Sequence, residues 1–280
     1  MLKQRVITAS ILASLFVWGV IALPTTYVSL LFAVMVTVGA VEWVRLMGEP
    51  TPLGKYKFVA LIWVLMVVSA WLSQHATLFY LLLTASVLWW GYALRLLQRF
   101  SAHVLSGERA GGTTQFPLAA LPAIGVVLLV PTWIAMVVLH SISPYWLLLL
   151  MFLIWGADTG AYFAGRAFGK HKLAPQVSPG KSWEGVAGAM AMTVVVALVG
   201  GGILLDVSGV ALFGLVMLAL VTVAFSIVGD LIESLMKRRV GVKDSGTLLP
   251  GHGGVLDRID SLTAAAPLFA LGISLLGIRA

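Results

Sequence analysis

The sequence contains no cysteine, which excludes disulfide frameworks and thiolate metal sites. It is also poor in charge. Asp, Glu, Lys and Arg make up 10% of its 280 residues, against roughly 25% in a soluble domain. So few charges cannot clothe the water-facing surface of a chain this long. Acidic residues are the scarcer kind, 11 against 18 Lys and Arg, for a formal net charge of +7. In a soluble protein that excess would suggest nucleic acid. On an apolar chain the placement of the cations matters more than their sum, and nucleic acid is not an expected partner. Short segments of alternating polarity are missing too, which argues against a membrane β-barrel. No soluble domain, low-complexity tract or convincing repeat stands out.

Apolar residues are what the chain has in abundance, at 60%. A bilayer-spanning helix needs about 20 consecutive, mostly apolar residues. Nine runs meet or approach this: Val6–Leu23, Tyr27–Leu46, Phe58–Leu72, Thr77–Leu97, Phe116–Leu139, Pro144–Phe168, Trp183–Leu205, Val210–Met236 and Ile259–Ile278. The third is short, and Pro131 lies inside the fifth. The expected fold is therefore all-α, a polytopic transmembrane protein of about nine spans, with the lipid bilayer as its solvent. Residues 1–140 hold spans one to five, and residues 141–280 hold spans six to nine with the polar loops between them.

The cations fall on one side of this arrangement. Lys3 and Arg5 precede span one, and the rest gather between spans two and three, four and five, six and seven, and eight and nine. Only Arg279 of the 18 lies on the other side. The opposite connections, Pro24–Thr26, Ser73–Ala76 and Asp206–Gly209, carry no Lys or Arg. The positive-inside rule then puts the N-terminus and the long loops in the cytoplasm. The expected location is a bacterial inner membrane. The first span has a basic start like a signal peptide, but it is long for an h-region and no small-x-small site precedes Pro24, so cleavage is not expected.

Ionisable residues in spans are costly and usually face a polar cavity. Here they concentrate in the C-terminal half. Asp158, Tyr162 and Arg166 recur every four residues at the end of span six, beside a ridge of small residues, Ala157, Ala161, Gly165 and Gly169. A purely structural helix with a snorkelling arginine explains this stretch equally well. In the following loop, Ser178-Pro-Gly-Lys181-Ser182 reads as a turn presenting a lysine and two hydroxyls just before a helix that opens with Trp183-Glu184. Helix N-termini and lysines attract phosphate. The upstream glycine of a Walker A loop is missing, and contact with anionic headgroups is the plainer alternative. Ser226, Asp230, Glu233 and Lys237 form one stripe on span eight, where an Asp230–Arg pair across helices is the simple alternative. Glu42, near the end of span two, has Arg45 at helical spacing and reads as an interfacial ion pair.

The densest stretch runs from Ser234 to Asp260, with five cations, three aspartates, one histidine and five glycines in 27 residues. Gly251-His252-Gly253-Gly254 lets backbone approach a ligand closely. Asp257 and Asp260 follow three apart on a helix, so they are near neighbours. Carboxylates beside glycine-rich backbone and many cations suit a metal-bound polyphosphate, since magnesium takes one or two carboxylates plus phosphate oxygens.

Residues 234–260 resemble the signature of the CDP-diacylglycerol synthases, or phosphatidate cytidylyltransferases: the serine, the Lys237-Arg238 pair, Lys243-Asp244, His252-Gly-Gly and Asp257-Arg-Ile-Asp260 appear in order. Asp158-Thr-Gly-Ala-Tyr, the Ser178-Pro-Gly-Lys turn and Trp183-Glu-Gly resemble the family as well. The likeness is strong over 151–261 and weak before it. Ser182 stands where relatives often have threonine. The resemblance implies attack by the phosphate of phosphatidic acid on the α-phosphorus of CTP, with pyrophosphate leaving. It implies Mg²⁺ as cofactor in a two-metal site whose second ion is unidentified. Asp230 and Asp257 are the implied metal ligands, with Asp260 close behind. Lys181, Lys237, Arg238, Lys243, His252 and Arg258 are the implied phosphate partners, and Asp158, Arg166 and Glu184 stand behind them. A homo-oligomer is compatible with this reading. A secondary transporter would place its polar residues near the midplane and show inverted repeats. A CDP-alcohol phosphotransferase would carry Asp-Gly-x-x-Ala-Arg, which is absent here.

The orientation is testable because native cysteine is absent. A cysteine at Ser106 should be shielded from an impermeant thiol reagent in intact cells, and one at Ser208 should react. The reverse labelling pattern would overturn the orientation.

Overall fold

The structure, a computed structural model, describes residues 13–48, 51–105, 120–248 and 253–278. His252 and Gly251, singled out above, lie outside them, as does the start of the fifth predicted span. The described chain is almost entirely helical: α1 (Ala13–Ala22), α2 (Thr25–Leu46), α3 (Pro52–Leu72), α4 (Ala76–Leu105), α5 (Leu121–Ile142), α6 (Pro144–Phe168), α7 (Trp183–Val196), α8 (Gly209–Arg239) and α9 (Leu256–Leu276). Eight spans, counting α7 together with the helical continuation to Leu204, are long and apolar enough to cross a membrane. The chain is a multi-pass, all-α membrane protein.

Local sequence sets the helix ends. Thr51 caps α3, accepting from the Gly54 amide at 3.1 Å, with Pro52 at the first helical position. The third span is therefore longer than its apolar run suggested. Ser143 and Pro144 do the same for α6, because proline has no amide to satisfy at that position. After Val196 the helix widens into a π-helical stretch, Ala197–Leu204, containing Gly200, Gly201 and Gly202. It closes with a bond from Leu205 N to Gly200 O. The ninth span begins three residues earlier than its apolar run, which draws Asp257 into the first turn of α9.

One expectation needs correction. The segment before α7 is not a loop with a turn at Ser178–Ser182. It is an antiparallel hairpin, β1 (Lys172–Ala174) and β2 (Ser178–Ser182), pairing Lys172 with Ser182 and Ala174 with Ser178 around a register irregularity. Both strands of a two-stranded hairpin are edges, where a missing amide is tolerated, so Pro179 does not forbid the pairing.

The helices α5 and α9 sit inside the bundle and α3 at its periphery. Polar ties lock the centre. Pro267 inside α9 lacks the amide that would bond to the Thr263 carbonyl four residues back. That carbonyl accepts instead from Trp90 Nε1 at 3.0 Å and Thr132 Oγ1 at 3.2 Å, joining α4 and α5 to α9. Trp43 Nε1 donates to Leu121 O at 3.0 Å, and Gly125 has no Cβ because that atom would overlap the Trp43 indole. At the other end, buried His140 bridges Thr25 Oγ1 and Val20 O, at 2.9 and 2.8 Å.

The small-residue ridge predicted on α6 does face α7, but it is wider than expected. Ala161, Gly165 and Gly169 approach Ser182 and Gly185, and Gly160 and Ala164 extend the seam along Gly188. This close approach holds the N-terminal end of α7, and the hairpin before it, against α6. In Gly160→Ala the new methyl would meet the Gly188 carbonyl and lie 2.9 Å from Met192 Cβ. Overpacking of this kind costs about 1–3 kcal/mol. The variant should melt in detergent roughly 2–10 °C lower, and an unchanged melting temperature would contradict the seam.

Candidate active site

Three elements carry charge to one end of the bundle. Ser182 ends β2 and caps α7, its hydroxyl accepting from Gly185 N at 3.1 Å, and this fixes the strand that carries Lys181. Lys181 Nζ reaches Asp230 Oδ2 on α8 at 2.6 Å. One turn on, Ser234 Oγ donates to Asp230 Oδ1 at 3.2 Å. Asp230 therefore pairs with a lysine of the hairpin and not with an arginine of another helix. A cavity of about 220 Å³ opens beside this pair, lined by Asp158, Tyr162, Lys181, Ser226, Asp230 and Ser261 among others.

The second charged pair is deeper. Lys237 Nζ lies 2.6 Å from Asp257 Oδ1 and 3.2 Å from Glu233. These side chains are nearly enclosed, at 12, 8 and 5% exposure, against 26 and 30% for Lys181 and Asp230. A buried charge needs both a counter-ion and hydrogen bonds. Asp257 has both, since its Oδ2 accepts from Ser245 N at 2.9 Å and Gly254 N at 2.8 Å. Gly253 turns the chain there with φ +77°, and a Cβ on it would stand 2.6 Å from that same oxygen. Asp260 lies within electrostatic reach of Asp230, Lys181 and Lys237, and Asp158 of Asp230, Lys181 and Arg258. Asp260 Oδ1 accepts from Ser261 N at 2.6 Å.

Of the residues picked from sequence, Asp158, Lys181, Ser182, Asp230, Lys237, Asp257, Asp260 and Arg258 thus gather at one place. Arg238 joins at the margin, its Nε donating to Val177 O of the hairpin at 3.4 Å. Ser178 sits at the start of β2, paired with Ala174. The rest are engaged as follows. Glu184 takes the amide and Nδ1 of His171, the latter at 2.6 Å, and so ties the hairpin base to α7. Arg166 donates at 2.9 Å to the hydroxyl of Tyr162, which lines the cavity. Lys243 is exposed on the α8–α9 connection. Glu42 does not pair with Arg45. It is 2% exposed and accepts from the head of α9, while Arg45 faces outward. No local pattern could show this, because its partners lie more than 200 residues on.

Among the described residues, no three carboxylates or histidines come together as a metal ligand set. What the site offers is carboxylates paired with ammonium groups, Asp230 with Lys181 at the cavity and Asp257 and Glu233 with Lys237 deeper in the bundle. That arrangement suits a polyanion.

The profile of the cytidylyltransferase family matches residues 3–276. The chain belongs to that family. A phosphatidate cytidylyltransferase of Pseudomonas aeruginosa is 44% identical over 272 residues, covering 96% of both chains. One of Haemophilus influenzae is 38% identical over 297 residues, covering 96% of this chain and 98% of its own. One of Brucella suis is 47% identical over 138 residues, about half of each chain. The family match covers α1 to α9 together, including the first half of the chain, where the sequence signature is weak.

Lys181 separates structural from functional use of charge. A part-exposed ion pair contributes about 0–1 kcal/mol to stability. A charge-assisted hydrogen bond to phosphate contributes about 1.5–3 kcal/mol. Lys181→Ala should therefore keep its melting temperature within a few degrees and lose about 10- to 150-fold in kcat/KM. Wild-type kinetics would remove Lys181 from the site.

Proposed function

We propose that this enzyme transfers a cytidylyl group from CTP to phosphatidic acid, giving CDP-diacylglycerol and pyrophosphate, at a site on the cytoplasmic face of a bacterial inner membrane. The observation that carries the reading is the Lys181–Asp230 pair lining a cavity at one end of an apolar bundle, with the more deeply buried Lys237–Asp257 pair behind it. The family and the relatives, named for the same reaction, support it. A lipid substrate can leave its acyl chains in the bilayer while its headgroup reaches that end.

In this reaction a phosphate oxygen of phosphatidic acid forms a bond to the α-phosphorus of CTP. The bond from that phosphorus to the bridging oxygen breaks, and pyrophosphate leaves with the electron pair. The nucleophile is already an anion, so no strong base is required. The obstacle is repulsion between two polyanions. Preorganised cations lower the barrier by meeting charge where it develops. Lys181 holds Asp230 from one side and offers its remaining ammonium hydrogens to phosphate oxygens, while Lys237, between Asp257 and Glu233, adds positive charge behind it. Arg238 and Arg258 stand at the margin for the leaving group, and Ser226 and Ser261 line the cavity as hydroxyl partners.

The cofactor reading is Mg²⁺, with Asp230 and Asp257 as the residues that would hold it and Asp260 adjacent. The donor set fits an ion that takes one or two protein carboxylates and fills its octahedron with phosphate oxygens and water. It would not fit an ion that needs a complete protein cage. When bound, the metal neutralises phosphate charge and orients the triphosphate.

Purified protein in detergent, given radiolabelled CTP and phosphatidic acid, should form labelled CDP-diacylglycerol, and no product with either substrate omitted. Asp257→Asn keeps the shape of the residue and removes its charge. Turnover should fall at least about 100-fold while the protein stays folded, because the group acts on charge in the transition state. A well-folded Asp257→Asn protein with near-normal turnover at limiting magnesium would sink the assignment of Asp257.

A further inference from the structure

The α9 helix has no side-chain cap of its own, since Val255 stands at its N-terminus. The first amides of a helix lack intrahelical partners, and in a buried position each must find an acceptor. Here the acceptor comes from α2. Glu42 Oε1 takes Val255 N at 3.0 Å, and Oε2 takes Leu256 N at 2.7 Å and Ser245 Oγ at 2.9 Å. The contact is tight enough that a Cβ on Gly246 or Gly254 would collide with the Glu42 carboxylate. The same short stretch of chain is held from its other side by Asp257, which takes Ser245 N and Gly254 N. Ser245 thus gives its hydroxyl to one carboxylate and its amide to the other.

We infer that Glu42 is a positioning residue: it clamps the chain before α9 so that Asp257 faces Lys237. A carboxylate is the fitting group, since it alone among side chains of this length offers two oxygens that only accept and a charge that favours a helix N-terminus. The inference rests on the proposed role of Asp257 for its effect on turnover, but the clamp has a readout of its own.

Glu42→Gln exchanges one acceptor oxygen for an amide that faces a donor. Hydrogen exchange at residues 245–248 and 253–257 should quicken by about 10-fold or more while α5 and α6 keep their protection. Misplacement near 1 Å can cost about 100-fold in rate, so kcat should fall by that order with KM for CTP changed less than about threefold. Glu42→Asp, which restores the charge, should recover part of the loss. Trp133→Phe serves as comparison. It removes the Trp133 Nε1 bond to Ser29 O, 2.9 Å, at the far end of α2. It should lower the melting temperature and leave both kcat and exchange at 245–248 and 253–257 unchanged. Should Glu42→Gln fail to accumulate, Ser245→Ala removes only the hydroxyl donor and should move both readouts in the same direction.

Unchanged exchange at 245–248 and 253–257 in the accumulated variant overturns the clamp. Faster exchange with wild-type kcat overturns its role in the reaction, provided that Asp257→Asn is inactive. If Asp257→Asn is itself fully active, the proposed site fails, and faster exchange still upholds the clamp.

Discussion

A carboxylate enclosed in an apolar bundle has to be met by donors, and the site depends on how three of them are met. Glu42 is satisfied by backbone amides and a serine, Asp257 by amides and a lysine, and Asp230 by a lysine and a serine. The three come from α2, α9 and α8. Their partners come from the hairpin, from α8 and from the chain between α8 and α9. Desolvating a charge costs several kcal/mol, and losing one partner of such a pair leaves that cost uncompensated. The position of each helix end is therefore tied to the others by electrostatics more than by shape.

Apolar packing makes this arrangement possible without itself specifying it. Hydrocarbon lipid competes with side chains on equal terms, so helix association in a bilayer relies on close contact and polar ties. The glycine seam between α6 and α7 provides the first and brings the hairpin with Lys181 against α8. The Trp90 and Thr132 bonds to the Thr263 carbonyl provide the second and tie α9 to α4 and α5 at one point. A proline that would weaken a helix in water here creates an acceptor for two neighbours.

The spans were legible because hydropathy and cation placement are local signals of about 20 residues. The polar half of the site was legible as well, because Lys181, Asp230, Lys237 and Asp257 sit in short stretches dense in charge and glycine. The hairpin was missed, since three- and five-residue strands around a proline leave no periodicity to read. Arg166 and Glu184, expected behind the phosphate partners, are each engaged by a protein side chain, Arg166 by Tyr162 on the same helix and Glu184 by His171 across the hairpin. Glu42 was under-read. An arginine three residues away supplied a plausible local partner, while the true ones lie across the fold.

The order of the elements along the chain bears on how the protein is made. A ribosome delivers α2, α4, α5 and α8 to the membrane before α9, yet α9 packs against all four and carries two of the candidate carboxylates. During synthesis the earlier helices must hold a slot for it, with the Glu42 and Lys237 side chains awaiting their partners. A nascent chain interrupted before its final helix would have neither a closed centre nor an assembled charge cluster. Such a fragment would be chemically inert and recognisable to quality-control proteases by its unfilled groove.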